Sequence, residues 1–188
     1  MNMNLYNYFV SFFTISEIAL LVLKRSKKSS VKIQSDGKSM LFLWLTISAS
    51  LTIGYIIAML HILVSGDPVI FEGTGILIFI AGFIVRWTAI IQLGKMFTVD
   101  VAISSSHVLK TDGIFRIVRH PSYLGLLLII LGLAVLMNNV LAFIIIIIPI
   151  FFAINYRIFI EEKALTAEFG EQYERYKIHV RKIIPLLY

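Results

Sequence analysis

Five apolar runs, residues 5–23, 40–64, 76–93, 121–137 and 140–160, alternate with polar segments along the chain. A helix needs roughly 20 apolar residues to cross a bilayer, so this rhythm predicts about five transmembrane helices. The run at 121–137 is short, and its helix should stand nearly upright or thin the bilayer around it. Asn138-Asn139 reads as a tight turn, which makes the last two runs an antiparallel helical hairpin. Pro149 should kink the second of them. Residues 161–188 are soluble in character. Leu165, Phe169, Tyr173, Tyr176 and Val180 recur there at helical spacing, interrupted at Gly170. That predicts two short amphipathic helices, the second lying against the membrane face. The fold class is therefore all-α, a polytopic membrane protein.

Composition supports this reading and narrows it. The chain of 188 residues is 59% hydrophobic and 15% charged, with mean hydropathy +0.89. The length suggests one domain. With no cysteine, disulfides, thiolate catalysis and Cys-ligated metals are excluded. The first run has no basic flank before it and no small-residue cleavage site after it, so it reads as a retained helix and not a signal peptide.

The net charge of +6 would suit nucleic acid, but its distribution points to a membrane. Six cations fall at 24–38, four at 94–119 and five at 161–188; Arg86 and Arg157, inside apolar runs, complete the 17. The segments at 65–75 and 138–139 carry none. With five crossings, all the charged loops share one side, and the positive-inside rule makes that side cytoplasmic. The N-terminus is then outside and the C-terminus inside.

Buried charges need partners in lipid. Glu17 should face other helices or the interface, in a packing role. Arg86 should find a partner or a wet cavity, and reads equally as structural or functional. Gly73-Thr74-Gly75 lacks the third glycine and the βαβ context of a dinucleotide fingerprint. The loop at 94–119 is too long and varied to be a mere connector. Arg119-His120-Pro121-Ser122-Tyr123-Leu124-Gly125 stands where that loop ends and an apolar run begins. Pro121 is suited to the first position of a helix, whose unpaired amides and dipole favour an anion. A basic anchor before a Pro-started membrane helix accounts for the same residues. Arg157 and Glu161 lie four apart and can meet on one helix face, either as a balanced pair or with Arg157 holding a substrate acid bidentately. Tyr173 and Tyr176 read as interfacial packing. The histidines are not spaced as a metal site.

Taken together, the motifs resemble the isoprenylcysteine carboxyl methyltransferase family. The resemblance rests on His107-Val108-Leu109, Gly113, Arg119 to Gly125, Arg157-Ile158-Phe159-Ile160-Glu161-Glu162, Leu165 and Phe169-Gly170-Glu171-Gln172-Tyr173 with Tyr176. Leu93 to Thr98 resembles the start of the family's cofactor loop. The resemblance covers about the C-terminal half, and the first two helices match only in being apolar. It implies a membrane-embedded, S-adenosylmethionine-dependent methyltransferase in one domain, 1–188, with N-terminal helices 1–93 and a catalytic region 94–188 whose C-terminal helices form the cofactor pocket. By the resemblance, cofactor contacts fall on His107, Val108, Leu109, Lys110, Phe115, His120, Pro121, Ser122, Tyr123 and Glu161. Family members often have Tyr where this chain has Phe115. Arg157 matches the arginine that holds the substrate carboxylate, and no metal is involved.

In that reading the cofactor's amino group pairs with Glu161 and its carboxylate meets the N–H groups of the helix start at 121–123, where Pro121 itself offers none. The acceptor is lipophilic, most simply a carboxylate such as that of a prenylated cysteine, and enters from the bilayer. A phospholipid amine or an enolic or phenolic alkyl lipid is the alternative acceptor. A membrane scaffold whose basic face binds anionic lipid is the non-enzymatic alternative.

Overall fold

The computed structural model describes residues 3–23, 37–97 and 108–184; His107 lies outside them. Among the described residues six α-helices follow in order: α1 Met3–Leu23, α2 Gly37–Met59, α3 Pro68–Leu93, α4 Pro121–Leu136, α5 Val140–Phe169 and α6 Glu171–His179. Among the described residues, four (α1, α2, α3 and α5) are long and apolar enough to cross a membrane. The fifth apolar run forms α4, a helix of only 16 residues, about 24 Å long against a hydrocarbon layer of about 30 Å. The helix lengths therefore support four full-length spans and leave α4 as the short run that the sequence predicts.

Helices consecutive along the chain run in alternating directions. Phe9 meets Phe79, and Glu17 meets Arg86, so α1 is parallel to α3. Tyr6 stacks on Tyr55 and Phe13 lies near Trp44, so α1 is antiparallel to α2. α4 runs antiparallel to α3, and α5 antiparallel to α2, with Ser39 at Arg157 and Phe42 at Tyr156.

The α3–α4 pairing is built on glycine. A methyl group on Gly82 would lie 2.5 Å from the Ile129 nitrogen, and one on Gly132 would lie 2.6 Å from the Phe79 nitrogen. Gly75 sits as close to Leu136 and to the Gly132 carbonyl. In lipid, helices gain little from hydrophobic exclusion, so close backbone approach at small residues drives their association. This explains why the segment at 65–75 is not all loop. Asp67 caps α3 by accepting from the Val69 N–H at 2.8 Å, Pro68 takes the first position, and Gly73 and Gly75 lie inside the helix.

Two other boundaries move. α2 ends at Met59, and residues 60–66 turn with His61 and Leu63 at positive φ. α5 continues without a break through Glu161 and Glu162 to Phe169, so the first of the two short amphipathic helices is the end of α5. Gly170 ends it at φ +49, as the interruption at that glycine predicts, and α6 follows. At the opposite end of the bundle the Asn138-Asn139 turn is present and buried. Asn138 exchanges hydrogen bonds with the Gly66 backbone at 2.8 and 3.1 Å, and Asn139 caps α5 through Ala142.

Candidate active site

The cavity lies at the end of the bundle where α3 and α5 finish and α2 and α4 start. It takes in about 1220 Å³ of space, the open solvent at its mouth included. Val108, Leu109, Lys110, Phe115, His120, Pro121, Ser122, Tyr123, Arg157 and Glu161 all line it. Residues from three separate stretches of sequence, 108–115, 120–123 and 157–161, thus meet in one cavity.

The loop before α4 is shaped by Gly113, whose φ of +60 suits glycine. The Gln92 side chain of α3 accepts from the Ile114 N–H at 3.0 Å and sets this turn. Phe115 follows, buried against the cavity. Lys110 pairs with Asp112 at 2.9 Å. The residues after α6 return to close the same region: the Arg119 N–H donates to the Arg181 carbonyl at 2.8 Å and the His120 N–H to the Lys182 carbonyl at 3.0 Å. Ile183 anchors this segment, fully buried in the main core.

Helix α4 does start at Pro121. Its free-amide site is narrower than the sequence implies, because the Tyr123 N–H is taken by the His120 carbonyl at 3.1 Å.

Glu162 is the hub that sequence reading missed. One of its oxygens, Oε1, accepts from Arg119 Nη2 at 2.9 Å, and the Tyr173 hydroxyl donates to it at 3.3 Å. His120 Nε2 lies 3.1 Å from the same oxygen. Arg119 also donates to the carbonyls of Lys177 and Val180, which ties the end of α6 to the loop before α4. The Tyr176 hydroxyl donates to the Phe115 carbonyl. Tyr173 and Tyr176 therefore belong to the cavity wall and are not interfacial packing. Burial, and for Tyr173 the nearby Glu162 and Glu161 charges, push both phenols well above their ordinary range. They stay neutral donors at physiological pH.

Glu161 occupies the other side of His120, 3.8 Å from Nδ1, with 32% of its side chain exposed. Arg157, one turn earlier on α5, is 2% exposed and donates to the hydroxyls of Ser39 and Tyr123. The buried Arg86 finds the partner its location demands. Its Nε and Nη2 donate to the two carboxylate oxygens of Glu17 at 2.6 Å each, and its Nη1 donates to the Ser122 carbonyl at 3.0 Å. Each charge was visible in the sequence, but their pairing across 69 positions was not.

Residues 75–167 match the Isoprenylcysteine carboxyl methyltransferase (ICMT) family. The chain is 36% identical over 108 residues to the protein-S-isoprenylcysteine O-methyltransferase of Schizosaccharomyces pombe, covering 56% of this chain and 46% of that one. It is 35% identical over 115 residues to protein-S-isoprenylcysteine O-methyltransferase B of Arabidopsis thaliana, covering 60% and 58%. A solved structure of the eukaryotic intramembrane Ras methyltransferase, isoprenylcysteine carboxyl methyltransferase, superposes with a TM-score of 0.64 at 28% identity, covering 77% of this chain and 52% of that one. The matched region thus spans about half the length of these relatives. The apolar helices and this likeness make the chain an integral membrane protein.

Proposed function

Residues 75–167 belong to the isoprenylcysteine carboxyl methyltransferase family, and from that premise we propose that this chain methylates a carboxylate on a lipophilic acceptor, such as a prenylated cysteine, using S-adenosylmethionine. The observation that carries the reading is the placement of Arg157 and Glu161 one helical turn apart on α5 in a single cavity, facing the start of α4. When bound, S-adenosylmethionine supplies a methyl group activated by a positive sulfur.

The cavity suits such a molecule at both ends. Glu161 keeps about a third of its side chain accessible, so it can take an ammonium group. Leu109, Phe115 and Phe169 offer an apolar wall for a flat base. Arg157 lies deeper, toward the apolar wall formed by Met40, Leu43 and Trp44 of α2. There a guanidinium orients a planar carboxylate without protonating it. A carboxylate is already ionised at neutral pH, so the acceptor needs no base. The protein's contribution is then alignment and exclusion of water. A phospholipid amine would first have to lose a proton, and His120 has one ring nitrogen engaged by Glu162. The site faces the cytoplasm, with α4 as a fifth, short crossing and the N-terminus outside.

The test is incubation of the detergent-solubilised protein with isotopically labelled S-adenosylmethionine and a lipid extract or prenylcysteine, followed by mass spectrometry. A base-labile methyl ester is expected. Arg157→Ala should abolish turnover while holding cofactor affinity within about twofold, since it acts on the acceptor. An N-methylated lipid would move the reading to the amine acceptor, and absence of cofactor binding would overturn it.

A further inference from the structure

Glu17 lies on α1, outside the residues that match the family, and is 3% exposed. Its two oxygens grip one edge of the Arg86 guanidinium at 2.6 Å each. A guanidinium is rigid and planar, so holding one edge aims the other. The aimed nitrogen, Nη1, donates to the Ser122 carbonyl at 3.0 Å and stands 3.5 Å from the Ser122 hydroxyl. Ser122 is in the first turn of α4, between His120 and Tyr123 at the cavity wall. Gly125 of α4 packs directly on the Arg86 backbone, leaving no room there for a side chain. If this place needed only packing, two apolar side chains would serve as well or better than a buried ion pair.

We propose that Glu17 is a positioning residue of the methyl-transfer site. It sets the direction of the Arg86 guanidinium, which holds the first turn of α4 and with it the groups on the cavity wall. Helix α1 is then part of the active-site scaffold as well as a membrane anchor. This inference rests on the reading that the cavity binds S-adenosylmethionine.

Two variants of the full chain test it by calorimetry with S-adenosylmethionine, methylation kinetics and thermal unfolding in one detergent. Glu17→Leu combined with Arg86→Met removes both charges together and should unfold no earlier than the wild type. Its cofactor Kd should nevertheless rise roughly tenfold, the loss of about one hydrogen bond from a charged donor. Glu17→Asp keeps the charge but draws the guanidinium back by one methylene. It should stay folded and raise the cofactor KM severalfold, with a smaller change in kcat. Wild-type affinity and turnover in either folded variant would overturn the inference, since a purely structural pair predicts that result. If the double variant fails to fold, Glu17→Asp alone decides, and wild-type behaviour there overturns it. A wild-type protein that binds no cofactor would overturn the functional reading and this inference with it.

Discussion

Gly125 sits against Arg86 so closely that a methyl group on it would lie 2.5 Å from the Arg86 nitrogen and 2.6 Å from its Cα. Both contacts are backbone, so neither can swing away. Gly125→Ala should force α3 and α4 apart, at a cost of about 1–3 kcal/mol, and weaken cofactor binding through the displaced Ser122. Gly73, on the same helix α3, has nothing within 4 Å of such a methyl. Gly73→Ala should be neutral or stabilising by up to about 1 kcal/mol, because alanine is the better helix former. Thermal unfolding of the two variants in detergent checks the contrast; equal effects would contradict it.

Glu162→Gln should damage the site differently from Glu161→Gln. Glu162 holds Arg119, His120 and Tyr173 together, so its loss should loosen α6 and the segment behind it, at about 2 kcal/mol. Glu161 has an accessible side chain and no such hub, so Glu161→Gln should lower cofactor affinity with little change in unfolding temperature. Limited proteolysis near residues 170–184, run beside calorimetry, separates the two.

The alkaline limit of stability should depend on Tyr173. Its phenol is pushed above the ordinary value of 10.0 by burial and by Glu162. In the pH range above 10.0 the unfolded phenol ionises while the folded one does not. The stabilisation is therefore complete below pH 10.0 and is lost progressively above it. Tyr173→Phe should flatten that part of the pH–stability profile and cost about 1 kcal/mol at neutral pH through the lost hydrogen bond to Glu162. Unfolding midpoints between pH 8 and 11 are the measurement.

The crossing number of α4 can be read by labelling. The chain has no cysteine, so single ones can be introduced cleanly. Ser65, in the exposed turn before α3, and Arg175, exposed on α6, lie at opposite ends of the bundle. Ser65→Cys should react with an impermeant maleimide from outside the cell and Arg175→Cys only after permeabilisation. Reaction of both from one side would contradict the proposed topology.

The apolar runs made the helices legible, because lipid requires long apolar segments and little else looks like them. The site was legible in part for a different reason. His120 to Tyr123 and Arg157 to Glu161 are compact motifs with unusual residue types at a membrane edge. Glu162 was named beside Glu161, but adjacent residues on a helix point about 100° apart, and nothing local tells which of the two meets Arg119. The partnership of Glu17 with Arg86 was hidden by distance along the chain: each charge advertises that it needs a partner, and neither says which. The start of α3 was misplaced because Gly73 and Gly75 look like breakers, and only the helix packed against Gly75 shows why it is there.

The pairing of Arg119 and His120 with Arg181 and Lys182 sets an order of events during synthesis. The carbonyl that receives the His120 N–H belongs to a residue made 62 positions later. At about 5–20 residues per second, that is a delay of roughly 3–12 s. Over that interval α1 to α5 can enter the bilayer while the segment before α4 still lacks this partner. A nascent chain halted before Lys182 would hold its helices in the bilayer with the start of α4 unbraced on that side.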